Sequence, residues 1–134
     1  HIMTIINMKR VSFKVAKEIK EAGYPQDITC GYLFDAKGNP CDEYTEGDIF
    51  VRPTYIEVRL WLWREKKIAI SEELWYDKPN DWGSIIEGDT IYKELYGYND
   101  PEEAIIAAIE YLVDNDLMNF IKQSQIHCEK FVSN

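Results

Sequence analysis

The sequence predicts an α+β domain: a small antiparallel sheet of three to four strands packed on about three helices in a single layer. Three observations predict it. Two helix starts carry their capping residues, one at Thr54 and one at Asp100. Three aromatic and β-branched segments lie between Ile68 and Tyr96, separated by turn residues. The connections between those segments are too short for parallel crossovers, so an antiparallel meander is expected.

Taken in order, Ser12 can cap a first helix, with Phe13, Ala16 and Ile19 as its apolar stripe and Val15 beside it. Gly23 stops that helix, and Pro25 follows. Cys30 to Phe34 is a strand candidate, Asp35 to Pro40 a turn cluster, and Cys41 to Tyr44 the returning arm of a hairpin. The acidic stretch from Asp42 to Asp48 reads as an exposed loop.

Residues 54–66 admit two readings. Ile56, Val58, Leu60 and Leu62 alternate as in a strand that would hairpin through Arg64-Glu65-Lys66-Lys67. Thr54 with Glu57 forms a capping box behind Pro53, and Ile56, Leu60 and Trp63 share a helical face that ends in cations. The helix is the preferred reading.

Ile68 to Tyr76, Trp82 to Ile86 and Thr90 to Tyr96 are the three strands of the meander, with Gly83, Gly88 and Gly97 expected at turns. The last helix opens with Asp100 as cap, Pro101 at its first position and Glu103 completing a capping box. Ile105, Ile109, Leu112 and Val113 are its buried stripe. Asp114-Asn115-Asp116 can interrupt it, and Leu117, Phe120 and Ile121 continue the apolar period.

The 134 residues fit one domain, expected over 4–134, with His1-Ile2-Met3 reading as a tag remnant and 126–134 expected to fray. The net charge of -9, from 24 acidic against 15 basic residues, argues against direct nucleic-acid binding and against anionic membranes. No apolar run is long enough for a transmembrane helix. Three separated cysteines, Cys30, Cys41 and Cys128, read as reduced thiols in a cytoplasmic protein.

The order of these segments carries a resemblance. A first helix ends in Ala22-Gly23-Tyr24, and a Pro53-Thr54 helix runs into Trp63-Arg64-Glu65-Lys66-Lys67-Ile68. A tryptophan- and tyrosine-rich strand pair follows, then Tyr98-Asn99-Asp100-Pro101-Glu102-Glu103-Ala104 opens the last helix. The chain resembles a group of small, acidic, uncharacterised proteins of gut Bacteroidetes bacteria and their phages and prophages, over most of Val11 to Leu117. The Trp61-Leu62-Trp63 cluster departs from the simpler tryptophan-leucine-arginine pattern of that group. The resemblance implies a bacterial or phage-infected cytoplasm and a mobile-element role, and it brings no catalytic residues.

Chemistry is sparse in this sequence. His127-Cys128 pairs a base with a nucleophile, but sequence neighbours on a helix point about 100° apart. Three scattered cysteines and His127 do not make a zinc site. Asp42, Glu43, Glu46 and Asp48 lack the spacing of a calcium loop. Glu72-Glu73 reads as an exposed strand edge and Glu102-Glu103 as helix N-terminal charge. No catalytic residue, metal or cofactor is therefore expected.

What remains is the aromatic content, four tryptophans and nine tyrosines. Trp61, Trp63, Trp75 and Trp82 are expected mainly in the core, and any exposed subset would form a binding surface with Tyr92, Tyr96 and Tyr98. The candidate interaction surface is thus Trp61, Trp63, Trp75, Trp82, Tyr92 and Tyr96. The function expected is a non-enzymatic protein-interaction module with a protein partner. The alternatives are an acidic inhibitor that mimics nucleic acid and, more weakly supported, an enzyme using carboxylates.

Overall fold

The computed structural model describes residues 8–44, 46–75 and 81–118. Among these are three α-helices, one π-helical turn and six strands in two antiparallel three-stranded sheets, an α+β arrangement. The chain forms two compact units. One holds the residues up to Val11 together with Pro53–Tyr111, and the other Ser12–Arg52 together with those from Leu112 on.

In the second of these units, helix α1 (Phe13–Glu21) starts where Ser12 accepts a hydrogen bond from the Val15 N–H at 3.3 Å. It ends in a paired C-terminal motif: the Gly23 N–H reaches Lys20 O at 3.2 Å and the Tyr24 N–H reaches Ile19 O at 2.8 Å. Gly23 holds φ at +103°, which a side chain would disfavour. Val15, Ala16 and Ile19 are buried, as their spacing predicts.

The sheet of this unit has order β2-β1-β3, from β1 (Leu33–Phe34), β2 (Pro40–Cys41) and β3 (Phe50–Val51). The Asp35 carboxylate knots the β1–β2 turn by accepting the N–H groups of Lys37 and Asn39, each at 2.9 Å. The returning arm is shorter than expected and begins at Pro40, inside the expected turn. β3 has no counterpart among the expected strands, because two residues carry no period. Leu33, Ile49 and Val51 form a core cluster with Tyr24 and Cys41 packed on it. The Phe13 ring meets Phe34 and Phe50 edge-on at 5.5 and 5.3 Å.

The other unit opens with a backbone clamp. The Val11 N–H bonds to Pro53 O at 2.9 Å, the Tyr55 N–H bonds to Lys9 O at 3.2 Å, and Arg10 and Thr54 form a β-bridge. Helix α2 (Tyr55–Trp61) then starts at the Thr54 capping box, so the segment is helical and not a strand, but the buried face is Tyr55, Val58 and Trp61, while Leu60 and Trp63 of the expected face are exposed and Ile56 is half-buried. Glu57 accepts the Thr54 N–H at 2.9 Å while Thr54 accepts the Glu57 N–H at 3.2 Å. The π-helical turn Leu62–Lys66 follows, and Lys67 closes it at φ +56°.

β4 (Ala69–Leu74), β5 (Trp82–Glu87) and β6 (Tyr92–Tyr98) make the expected meander, in order β4-β5-β6. Gly88 lies at the β5–β6 turn, as expected, but Gly83 and Gly97 are inside strands. Gly97, at φ +94°, supplies the extra residue where the β5–β6 register shifts between Trp82 and Gly83. Gly83 faces Trp75, whose indole fills the space a Cβ would need.

Helix α3 (Pro101–Asp114) is capped by Asp100, which accepts the Glu103 N–H at 2.8 Å. The Glu103 carboxylate reaches back to the Asn99 N–H at 3.0 Å, one residue earlier than the expected box. Ala104, Ile105, Ala108, Ile109, Leu112 and Val113 are buried. The helix stops within the Asp114-Asn115-Asp116 stretch, where Asp116 takes φ +57°. No helix among the described residues is long and apolar enough to cross a membrane.

Candidate functional site

Strand alternation divides the β4-β5-β6 sheet into two unlike faces. One carries Ile70, Ser84 and Ile86, all buried, with Trp82 and Tyr98 half-buried. The other carries Ser71, Glu73, Ile85, Glu87, Tyr92, Glu94 and Tyr96, with Trp75 just past the end of β4. Cross-strand register aligns Glu73, Gly83 and Tyr96 in one row, Ser71, Ile85 and Glu94 in the next, and Ala69, Glu87 and Tyr92 in the last. No Lys or Arg occupies this second face of the three strands.

Trp75 lies across Gly83, and its ring meets Tyr96 edge-on at 5.6 Å. Its indole nitrogen is buried with no hydrogen-bond partner among the described residues. Tyr92 and Tyr96 are 61% and 63% exposed, well above what core tyrosines show. The Tyr92 hydroxyl donates to Glu94 at 2.9 Å, and that carboxylate holds the phenol above its ordinary pKa, helped by desolvation and by Glu87 and Glu73.

The six residues of the candidate surface therefore separate. Trp75, Tyr92 and Tyr96 share the outer sheet face. Trp82 is half-buried on the opposite face, and Trp61 is buried, with the Lys66 ammonium 5.6 Å above its ring. Trp63 stands elsewhere, 54% exposed on the π-helical turn with Lys67 5.5 Å over its ring. Sequence reasoning left out Glu73, Glu87 and Glu94, which share the face with the tyrosines. Their strand parity was the available signal, but pairing across three strands was needed to use it.

Other chemistry is thin. Burial, then Asp35 and Asp42, push the Cys41 thiol up, so it stays protonated at neutral pH and is a poor nucleophile. His127 and Cys128 lie outside the described residues. Asp42, Glu43, Glu46 and Asp48 are exposed, and no group of three or more His, Cys, Asp or Glu among the described residues could hold a metal ion. An open hollow of about 400 Å³ lies beside Lys9, Tyr98, Asn99, Glu103 and Glu110. The N–H groups of Asn99 and Glu103 beside it are already bonded to carboxylates, so it is not an anion cradle.

No protein-family model, curated protein or solved structure matches this chain.

Proposed function

We propose that this chain is a non-enzymatic protein-interaction module, working as an accessory factor of a phage or prophage as the family resemblance implies. One observation carries the reading: the outer face of the β4-β5-β6 sheet holds Trp75 edge-on to Tyr96, with Tyr92 exposed beside them. Exposed aromatics grouped on a rigid sheet are the side chains that dominate binding energy at protein interfaces, because they bury large area at little entropy cost. Glu73, Glu87 and Glu94 on the same face favour a partner surface with basic groups.

A photo-cross-linking residue in place of Tyr92 tests this in living cells. It should capture a discrete protein, whereas the same residue at the exposed Lys37 should not. Adding Tyr96→Ala should lower the yield several-fold. Equal capture at both positions, or a yield indifferent to Tyr96→Ala, argues against the face as an interface.

A further inference from the structure

We propose that the outer face of the β4-β5-β6 sheet takes the Trp63 turn of a second copy of this chain, an inference that rests on the interaction-module reading above.

The turn is chemically the counterpart of the face. Leu62–Lys66 is wound as a π-helix and closed by Lys67 in the left-handed region, a conformation that a lysine adopts at a cost. Turns of this kind are rare and recur at functional sites. The effect here is to hold Trp63 outward, with Arg64 and Lys67 exposed beside it and the Lys67 ammonium over its ring. Arg64, Lys66 and Lys67 outweigh Glu65, so the turn is a cationic aromatic projection on a chain of net charge -9.

The face offers Glu73, Glu87 and Glu94 with Tyr92, Tyr96 and Trp75, and its three strands place no cation on it. Cations and aromatic rings attract each other across such a contact, and carboxylates add pairing for Arg64 and Lys67. Trp63, Tyr92 and Tyr96 are each more than half exposed, so the turn does not cover the face within one chain. Two copies can satisfy both surfaces.

The net charge of each copy opposes association, but at physiological salt charges separated by more than about 8 Å are largely screened. Close pairs therefore decide the outcome, and the contact is expected to be small and weak.

Sedimentation velocity on the full chain tests the proposal, with Glu73→Lys as the face variant and Arg64→Glu as the turn variant. Both positions are exposed, so the fold should be kept, and far-UV circular dichroism checks it. The wild type should self-associate reversibly as its concentration approaches about 1 mM, and raised salt should weaken it. Each variant alone should lose about tenfold in association, which is about 1.4 kcal/mol. Mixing the two variants should restore it, because each then supplies what the other lacks.

A chain that stays monomeric over this range overturns the proposal. So does association that strengthens with salt, or a mixture no better than either variant alone. If the chain is monomeric while Tyr92 still cross-links to a different protein, the second copy is excluded and the interaction module stands. If both experiments fail, both readings fall.

Discussion

At the residue scale, several positions matter because of what occupies the space beside them. Gly83 is one, since its missing side chain leaves room for the Trp75 indole, which meets Tyr96 edge-on. Gly38 is another, at φ +88° with the Phe13 ring in the space a Cβ would need. Glu18 is a titrating example on α1. Its carboxyl is pushed up by burial first and then by Glu21 and Asp116, with Lys14 and Lys17 opposing. A carboxyl whose pKa is higher in the folded than in the unfolded state stabilises the fold below the unfolded value and loses that contribution as pH rises through the folded value. Charged Glu18 is thus slightly unfavourable at neutral pH. Glu18→Gln should raise stability at pH 7 by a few tenths of a kcal/mol, roughly the scale of surface electrostatics. The gain should vanish well below the carboxylate range, where the native side chain is also neutral. Urea midpoints at the two pH values measure it, and an equal gain at both would contradict the burial argument.

At the element scale, legibility followed locality. The Ser12, Thr54 and Asp100 caps are interactions between residues three apart, so the three helices could be read from the chain. The Thr54–Glu57 box also decided the ambiguous segment, where an alternating apolar pattern competed with it. The alternation failed because Trp61 and Leu62 are both buried on successive positions, which a half-buried strand does not allow. What the sequence hid was non-local. β3 and the short β2 exist only as partners of β1, and the bulge at Gly97 exists only against β5. The same limit applied to the candidate surface: Tyr92 and Tyr96 were visible as a pair on one strand, but their neighbours Glu73, Ile85 and Glu87 came from register. The box itself gives a prediction. Thr54→Ala removes the hydroxyl that accepts the Glu57 N–H, and it should cost about 1 kcal/mol, within a range of about 0.5–2. Thr54→Ser should keep most of that. Chemical denaturation of the two variants side by side distinguishes a cap from mere side-chain packing, since packing loss would lower both.

At the scale of the whole molecule, the two units differ in how their sheets are built, and local stability should follow. β5 has six residues paired on both sides, along β4 and β6, and its Ser84 and Ile86 are fully buried. β1 is also central in its sheet, but it has only two residues, each flanked by strands equally short. Opening such a short ladder breaks few bonds, whereas freeing a β5 amide requires the meander to come apart. Amides buried within long, doubly paired strands exchange through larger and rarer openings than those in short ladders. Native-state hydrogen exchange should therefore find Ile85 and Ile86 slower than Leu33 and Phe34 by at least about tenfold, an opening difference of about 1.4 kcal/mol after correction for intrinsic rates. Leu33 is itself fully buried, so burial alone predicts no such gap. Equal protection would mean that both sheets open in the same event. A gap in the expected direction would instead make the β4-β5-β6 sheet the rigid platform that an exposed aromatic face needs, because binding through Trp75, Tyr92 and Tyr96 costs least where the backbone beneath them is already ordered.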